Sequence, residues 1–215
     1  MSSISGVIFD MDGVLVDSEE FIAKAAQMMF AERGLAVKAA DFRPFIGMGE
    51  NRYIGGVAEK YGHAGGIIEL KKRTYDIYLE IIRGRLKPLP GVPEFVAQCR
   101  RRGMKLAVAS SADMRKVKGN LEETGLCFDK FDAVLSGEDV EHRKPSPDIF
   151  LLAAARIGVE PRRCIVVEDA PAGVQAAKAA GAKCLGITSS FSRQQLAGAD
   201  WFAPSLDVDV ELFLS

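Results

Sequence analysis

The segment that decides the fold is GVIFDMDG, residues 6–13 of a chain of 215 residues. Its first four residues are apolar and include β-branched side chains, which is typical of a parallel strand buried on both faces. Asp10 and Asp12 come at the end of this strand, and Gly13 then favours a turn. Residues two apart in an extended chain point the same way, so both carboxylates can face one site.

Other apolar runs have the same strand character. The clearest are Lys105–Ala109 and Cys164–Val167, and the weaker candidates are Ala133–Leu135, Lys183–Ile187 and Trp201–Ala203. Helical patterns lie between these runs, and several of them end at a glycine, which commonly follows a helix. Strands that alternate with helices predict an α/β fold with a doubly wound, Rossmann-like parallel sheet.

One long segment breaks this alternation. Between residues 17 and 84 the sequence shows helical patterns and no convincing strand, and Lys87–Gly91 then forms a turn-rich linker. We therefore expect two domains. Residues 1–16 and 85–215 form an α/β catalytic core, and residues 17–84 form an all-α cap inserted after the first strand.

Composition and charge exclude several classes of function. The chain carries 28 Lys and Arg against 29 Asp and Glu, whereas general nucleic-acid binding needs a basic surplus. No apolar run is long enough to span a bilayer, and the first residues do not resemble a signal peptide. Two histidines and four separated cysteines cannot supply an ordinary zinc site, and such cysteines suit a reducing compartment. We expect a cytoplasmic protein with no nucleic-acid or membrane partner.

Polar and charged residues follow the predicted strands, which is where open α/β sheets bind their ligands. Ser110 follows the second strand, Lys144 follows the segment after Leu135, and Glu168 and Asp169 close a later strand. Each has a simpler interpretation when taken alone. Ser110 or Asp169 could only cap a helix, and Lys144 could be a solvated surface lysine.

The paired Asp10 and Asp12 are harder to explain as purely structural residues. Two like charges about 4 Å apart repel by roughly 4 kcal/mol at an effective dielectric constant near 20. Four carboxylates in one cleft therefore need a cation, or some of them must stay protonated. An all-oxygen ligand set favours Mg²⁺, and Mg²⁺ with a lysine and helix N-terminal amides suits a dianionic phosphate.

These motifs together resemble the four-motif signature of the haloacid dehalogenase (HAD) superfamily. The signature consists of DMDGVLVDS at residues 10–18, Ser110, Lys144-Pro145 and Glu168-Asp169, and the resemblance covers essentially the whole chain. The branch that it resembles most has a small helical cap after the first strand. That branch includes sugar-phosphate phosphatases, phosphoglycolate phosphatases and β-phosphoglucomutase, so the resemblance implies phosphoryl transfer from a small-molecule phosphate ester.

The resemblance implies a role for each aspartate of the first motif. Asp10 is similar to the nucleophile that forms an aspartyl-phosphate, which splits one difficult displacement into two easier ones. Asp12 is similar to the general acid/base that protonates the leaving alcohol and then activates water. An acid at this position separates the chain from the dehalogenase and phosphonatase branches of the superfamily, which lack it.

The resemblance also implies a metal site and a phosphate site. The metal is Mg²⁺, held by the side chain of Asp10 and the backbone carbonyl of Asp12, with Asp169 completing the site and Glu168 as a ligand or a neighbour of one. The phosphoryl oxygens are stabilised by Ser110 and Lys144, and the backbone amides of Ser111 and Ala112 add donors.

The cap is expected to select the substrate, and its candidate reader is the loop at residues 45–52 with the first cap helix. Here the chain departs from the β-phosphoglucomutase pattern, which has His, Lys and Arg where this chain has Ile22, Ile46 and Glu50. Hydrolysis is therefore preferred over mutase activity, although Arg52 could replace a missing cation. Ile46 and Met48 suit either ordinary packing or an apolar wall. The hypothesised substrate-binding residues of the cap are Glu20, Asn51 and Arg52.

Three alternatives to a phosphatase stay open at this point. The first is a phosphosugar mutase similar to β-phosphoglucomutase. The second is a phospho-acceptor module of the receiver type, although receivers are about half this length and lack a helical insert. The third is a non-catalytic relative that serves as a binding module. Because small-cap members of the superfamily are frequently monomers, we expect a monomer.

Overall fold

The computed structural model describes residues 3–45, 49–63 and 65–214, and it divides the chain into two compact units. Met1–Asp17 and Lys87–Ser215 form the first unit, and Ser18–Leu86 form the second. The sequence predicts these boundaries one to two residues earlier along the chain. Among the described residues, every helix is too short or too polar to cross a membrane.

The first unit is built on a six-stranded parallel sheet in the order β3-β2-β1-β4-β5-β6. Its strands are β1 (Gly6–Phe9), β2 (Lys105–Ala109), β3 (Ala133–Leu135), β4 (Cys164–Glu168), β5 (Lys183–Ile187) and β6 (Trp201–Ala203). The predicted α/β fold is confirmed. All residues of β1 and β4 are buried, as their continuous apolar sequences require at the centre of a sheet.

The strand order places a topological switch point at the centre of the sheet. From β1 the chain builds outward through β2 and β3, and it then returns to β4 on the other side of β1 and builds outward through β5 and β6. The loops after β1 and its neighbours therefore diverge at the carboxyl edge of the sheet. Ligands of open α/β sheets bind in the crevice that this divergence creates.

The second unit is helical in its described residues. It contains α1 (Glu19–Ala31), a 3₁₀ helix (Ala39–Phe45), α2 (Glu50–Lys60) and α3 (Ile67–Ile81). Aromatic packing joins the 3₁₀ helix to α2, since the rings of Phe42 and Tyr53 stack with centroids 4.9 Å apart. Gly56 belongs to this contact, because a Cβ there would collide with the ring of Phe45. This close approach explains the glycine at position 56, in a segment whose sequence predicts only weak helix.

The remaining helices cover the sheet of the first unit. They are α4 (Val92–Arg101), α5 (Met114–Glu123), α6 (Asp148–Arg156) and α7 (Pro171–Ala179), with short 3₁₀ helices at Phe128–Lys130, Pro161–Arg163 and Val210–Phe213. Two simple interpretations of the sequence are wrong. The cap of α5 is Asp113 rather than Ser110, and the cap of α7 is Ala170 rather than Asp169. Ser110 and Asp169 are therefore available for another role.

Candidate active site

The sheet itself brings two acidic residues together at its carboxyl edge. Strands β1 and β4 pair in a register that places Phe9 beside Val167, so the next residues, Asp10 and Glu168, are neighbours. The amide of Asp10 extends the pairing by donating to the carbonyl of Val167 over 2.9 Å. With Asp169 they form a cluster whose carboxylate oxygens lie within 4.8 Å of one another.

Lys144 lies inside this cluster. Its Nζ donates to Oδ1 of Asp10 over 2.5 Å and to Oε1 of Glu168 over 2.7 Å, and it also contacts the carbonyl of Ala109 at 3.1 Å. Only 8% of its side chain is exposed, so the interpretation of a solvated surface lysine is wrong. Burial alone would lower the pKa of Lys144, but the two carboxylates hold it above its ordinary value.

The carboxylates of the cluster outnumber its cation. Burial raises the pKa of Asp10 well above its ordinary value, against the opposing effect of Lys144. Burial and the Glu168 carboxylate raise the pKa of Asp169 to about 7. With one ammonium group among three carboxylates, ionisation of all three is therefore unfavourable, and a bound cation would offset this free-energy cost.

This donor set fits Mg²⁺. Its ligand atoms are carboxylate oxygens, which hard divalent cations prefer, and the three side chains are buried or nearly so. Burial first, and the neighbouring carboxylates second, raise the pKa values of Asp10 and Asp169, and a bound cation would offset both effects. The carboxylate of Asp12 is outside this cluster of described acids, and the role of its backbone carbonyl as a metal ligand stays a prediction.

Two glycines make room for the acids. Gly13 has a φ of +79°, and a Cβ there would collide with the carboxylate of Asp169. A Cβ at Gly173 would collide in the same way with the carboxylate of Glu168. Oε2 of Glu168 also accepts hydrogen bonds from the amides of Asp169 and Ala170, at 3.0 and 3.1 Å. The position of each acid is thus fixed by backbone as well as by charge.

The loop after β2 contributes Ser110, which is 1% exposed. Its amide donates to the carbonyl of Leu135 over 3.1 Å, and its hydroxyl accepts from the amide of Ala112 over 3.1 Å. The carbonyl of Ser111 accepts from Nη1 of Arg143 at 3.2 Å. The loop is therefore ordered by its own contacts. The Ala112 amide, which the sequence predicts as a hydrogen-bond donor to the phosphoryl oxygens, donates to the Ser110 hydroxyl in the structure.

The side chain of Asp12 has a partner that the sequence does not suggest. Nζ of Lys116 donates to Oδ2 of Asp12 over 3.0 Å, and the Lys116 side chain is only 6% exposed. Sequence reasoning missed Lys116 because a lysine in an amphipathic helix is expected on its exposed face. The sequence does carry a signal of its burial, because the helical spacing of Lys116 places it on the same face of α5 as Val117, Asn120 and Leu121, which are buried.

Residues 4–181 match the family model of the haloacid dehalogenase-like hydrolases. The chain belongs to the haloacid dehalogenase-like hydrolase family. The acids, serine and lysine brought together at the switch point are the residues that carry the resemblance to this family in the sequence. The interpretation as a receiver-type module is wrong, because the HAD match covers most of the chain.

Individual relatives of this HAD chain differ in length. It is 44% identical over 202 residues to Protein SUPPRESSOR OF QUENCHING 1, chloroplastic, from Arabidopsis thaliana, a match that covers 91% of this chain and 19% of that protein. It is 35% identical over 187 residues to Fructose-1-phosphate phosphatase YqaB from Escherichia coli (strain K12), covering 82% of this chain and 93% of that one.

A solved structure supports the same assignment. The crystal structure of CbbY from Rhodobacter sphaeroides in complex with phosphate has a TM-score of 0.85 to this HAD chain at 27% identity, and covers 95% of both chains. Another structure of that protein is in complex with Xylulose-(1,5)bisphosphate. These matches confirm the prediction that the chain is an enzyme, a phosphoric monoester hydrolase of the HAD family.

The helical unit of this HAD chain has a cavity of its own, of about 770 Å³. Glu20 lines it, as do the charged side chains Glu19, Lys24, Arg43 and Arg85. The other two predicted substrate residues of the cap are not among its lining residues, and both are exposed: Asn51 and Arg52. Arg52 donates to Oε2 of Glu59 over 2.8 Å. Ile46 and Met48, the predicted apolar wall, lie outside the described residues.

Proposed function

We propose that this chain is a Mg²⁺-dependent phosphatase that hydrolyses a small sugar or polyol phosphate through a phosphorylated Asp10. The observation that carries the proposal is the buried cluster of Asp10, Glu168 and Asp169 around Lys144, at the switch point of a parallel sheet. A nucleophile, a cation that binds phosphoryl oxygens and a set of metal ligands are then within reach of one reacting phosphorus atom.

The first step transfers the phosphoryl group to the protein. A carboxylate oxygen of Asp10 attacks phosphorus while the bond from phosphorus to the alcohol oxygen breaks. The ammonium group of Lys144 and the hydroxyl of Ser110 stabilise the charge on the phosphoryl oxygens, and both are buried, which strengthens these interactions. Asp12 donates the proton that the leaving alcohol needs.

The second step releases phosphate. Asp12, now ionised, takes a proton from a water molecule, whose oxygen attacks the phosphorus of the phosphorylated Asp10. The bond between phosphorus and the Asp10 oxygen breaks, which regenerates the free carboxylate and the protonated form of Asp12. One acid thus serves both half-reactions, and no other proton carrier is needed.

The residues that would hold Mg²⁺ are the side chains of Asp10 and Asp169, the backbone carbonyl of Asp12, and Glu168 as a ligand or as support for one. When bound, Mg²⁺ supplies positive charge that offsets the repulsion between the substrate dianion and the carboxylates. The fit rests on the oxygen-only donor set and on the raised pKa values of Asp10 and Asp169.

We further propose that the helical unit selects the substrate. The names of two relatives support a phosphorylated carbohydrate, since one is a fructose-1-phosphate phosphatase and the other was solved with a xylulose bisphosphate. The cavity of the helical unit also suits such a substrate, because it presents carboxylates, amines and guanidinium groups that can bind hydroxyls. Among the candidate cap residues, Glu20 is favoured over Asn51 and Arg52 because it alone lines this cavity.

A phosphosugar mutase is the second candidate. It would need a base for an acceptor hydroxyl and cations for a second phosphate, at positions that hold Ile22 and Glu50 in this chain. Ile22 is buried, and Arg52, the cation that could compensate, is paired with Glu59. Hydrolysis therefore agrees better with the described residues than the mutase reaction does.

The test is phosphate release from p-nitrophenyl phosphate with Mg²⁺, followed by kcat/KM over a panel of hexose, pentose and polyol phosphates. We expect many turnovers per enzyme, loss of activity with EDTA, recovery with added Mg²⁺, and none in Asp10→Asn. Formation of glucose 6-phosphate from β-glucose 1-phosphate and a bisphosphate activator would favour the mutase instead. The cytoplasmic location and the monomeric state stay predictions, and one relative carries the word chloroplastic in its name.

A further inference from the structure

Lys116 is a buried lysine whose carboxylate partner is far away in sequence. It lies in the first turn of α5, its side chain is 6% exposed, and its Nζ is 3.0 Å from Oδ2 of Asp12, which is 104 residues earlier in the chain. Lysine is almost never buried to this degree unless it is paired. The pair therefore connects two functional segments, the loop after β1 and the helix that follows the Ser110 loop.

Stability alone does not explain this pair. Removing an ammonium group from water costs several kcal/mol, and the attraction to a carboxylate often fails to repay that cost. The Asp12 side chain is 37% exposed, so its own contribution to a buried pair is further weakened by solvent. What the contact does supply is position, because it fixes one carboxylate oxygen at a defined point.

The backbone of Lys116 is well placed for this task. Its amide donates to the carbonyl of Asp113, the cap residue of α5, over 3.0 Å. The next residue after the cap, Met114, donates its amide to Oε2 of Glu138 over 2.9 Å. The first turn of α5, from which Lys116 extends, thus has hydrogen bonds at both its cap and its first amide.

We propose that Lys116 is a positioning residue that holds the carboxylate of Asp12 for proton transfer. The proposal rests on the proposed function, in which Asp12 is the general acid/base. The hydrogen bond uses Oδ2, and the exchange of a proton with the alcohol or with water needs only Oδ1. Lys116 acts through Asp12, so its loss is felt most where the leaving oxygen depends on that proton.

The experiment compares an ester that needs the proton with one that does not. Fructose 1-phosphate releases a poorly acidic alcohol, whereas p-nitrophenyl phosphate releases a stable phenolate. In Lys116→Met we expect kcat/KM for fructose 1-phosphate to fall about tenfold or more, and kcat/KM for p-nitrophenyl phosphate to fall less than about threefold. Lys116→Arg, which keeps the charge, should recover most of the loss. Lys118→Met, which changes an exposed lysine of the same helix, should resemble the wild type.

A second comparison asks whether Lys116 acts through Asp12. In an Asp12→Asn background, Lys116→Met should cause no further loss with fructose 1-phosphate, because the group that it positions is already absent. The proposal would be overturned if Lys116→Met lowered kcat/KM equally for both esters. It would also be overturned if Lys116→Met lowered kcat/KM in the Asp12→Asn background as much as it does in the wild type, because either result would show that the lysine is only structural. Thermal unfolding is measured for every variant, and if Lys116→Met does not fold, Lys116→Gln replaces it in both comparisons.

Failure of the proposed function can be distinguished from failure of the role of Lys116. A wild-type enzyme that turns over neither p-nitrophenyl phosphate nor any ester of the sugar-phosphate panel with Mg²⁺ would overturn the phosphatase proposal, and the role of Lys116 with it. If fructose 1-phosphate is not a substrate, the alkyl phosphate of the panel with the highest kcat/KM replaces it in both comparisons. A wild-type enzyme that turns over both esters, together with a uniform effect of Lys116→Met, would overturn the role of Lys116 alone.

Discussion

Nζ of Lys144 lies 2.5 Å from Oδ1 of Asp10, although the two residues are 134 positions apart in the chain. Because β1 and β4 are neighbours, the same ammonium group also reaches Glu168 at the adjacent strand end. The proposed nucleophile, Asp10, therefore has a neutralising ammonium group beside it. The pairing register of β1 and β4 places Asp10 beside Glu168, and the segment between β3 and α6 brings Lys144 to both.

Replacing Lys144 tests this relationship. Lys144→Met removes the cation that we propose stabilises the phosphoryl oxygens, and it leaves Asp10 and Glu168 without their shared ammonium group. We expect kcat for p-nitrophenyl phosphate to fall by about 10²-fold or more, which is the usual effect of losing one preorganised charge donor. Lys118→Met is the matched control. A Lys144→Met enzyme with wild-type kcat would contradict the assigned role.

Replacing Asp10 tests the covalent intermediate. The wild-type enzyme, mixed with substrate and quenched in acid, should carry one additional PO₃ group on the peptide that contains Asp10, detected by mass spectrometry. Asp10→Asn should show neither the modified peptide nor turnover, because an amide is a poor nucleophile toward phosphorus. Turnover at the wild-type rate without Asp10 would exclude the intermediate.

Replacing Asp12 separates metal binding from proton transfer. Asp12→Asn keeps the backbone carbonyl that we propose as a metal ligand, so the Mg²⁺ concentration that gives half-maximal activity should stay nearly unchanged. Its kcat/KM for alkyl phosphates should fall about 10²-fold or more, the typical contribution of a general acid. A large rise in the Mg²⁺ requirement would instead mean that the carboxylate itself binds the metal.

The helical unit gives a prediction about specificity. Glu20→Ala removes a carboxylate from the wall of the cavity and should change the order of kcat/KM values across the sugar-phosphate panel. Arg52→Ala should change that order less, because Arg52 is exposed and paired with Glu59. If the order of kcat/KM values were the same for both variants and the wild type, Glu20 would not be a specificity residue.

Much of the core was predictable because its signals are local. The strands follow from continuous apolar runs, and the acids at their ends follow from the rule that parallel strands bind ligands at the carboxyl edge. Lys116 was not predictable in the same way. Its helical spacing places it on the buried face of α5, but a lysine is rarely buried without a partner, and its partner Asp12 comes from another segment.

The simpler interpretations of Ser110 and Asp169 failed for a related reason. Both residues precede a helix, and a polar side chain there is usually a cap. The chain turns again before each helix begins, so that Asp113 and Ala170 occupy the cap positions instead. A polar residue at the end of a strand therefore marks the start of the loop, and the sequence alone does not give the residue at which the next helix begins.

The raised pKa of Asp169, about 7, predicts how the metal-free protein responds to pH. The folded state holds this proton more tightly than the unfolded chain does, since an unperturbed aspartate has a pKa of 3.8. This group therefore stabilises the fold fully below pH 3.8, and the stabilisation is lost as pH rises toward 7, by at most about 4 kcal/mol. Asp10 contributes in the same direction.

Mg²⁺ should reverse this loss, because the ion binds the ionised carboxylates and competes with their protons. Its stabilising effect on the melting temperature should be large at pH 8 and small at pH 5.5, and its Kd should rise about tenfold for each pH unit below 7 while one proton is displaced. Differential scanning fluorimetry with and without MgCl₂ measures both effects.

Asp169→Asn carries no charge at this position. Its metal-free melting temperature should therefore be higher than that of the wild type at pH 8, and it should change little when Mg²⁺ is added. An Asp169→Asn protein that is less stable than the wild type in EDTA at pH 8 would contradict the electrostatic explanation.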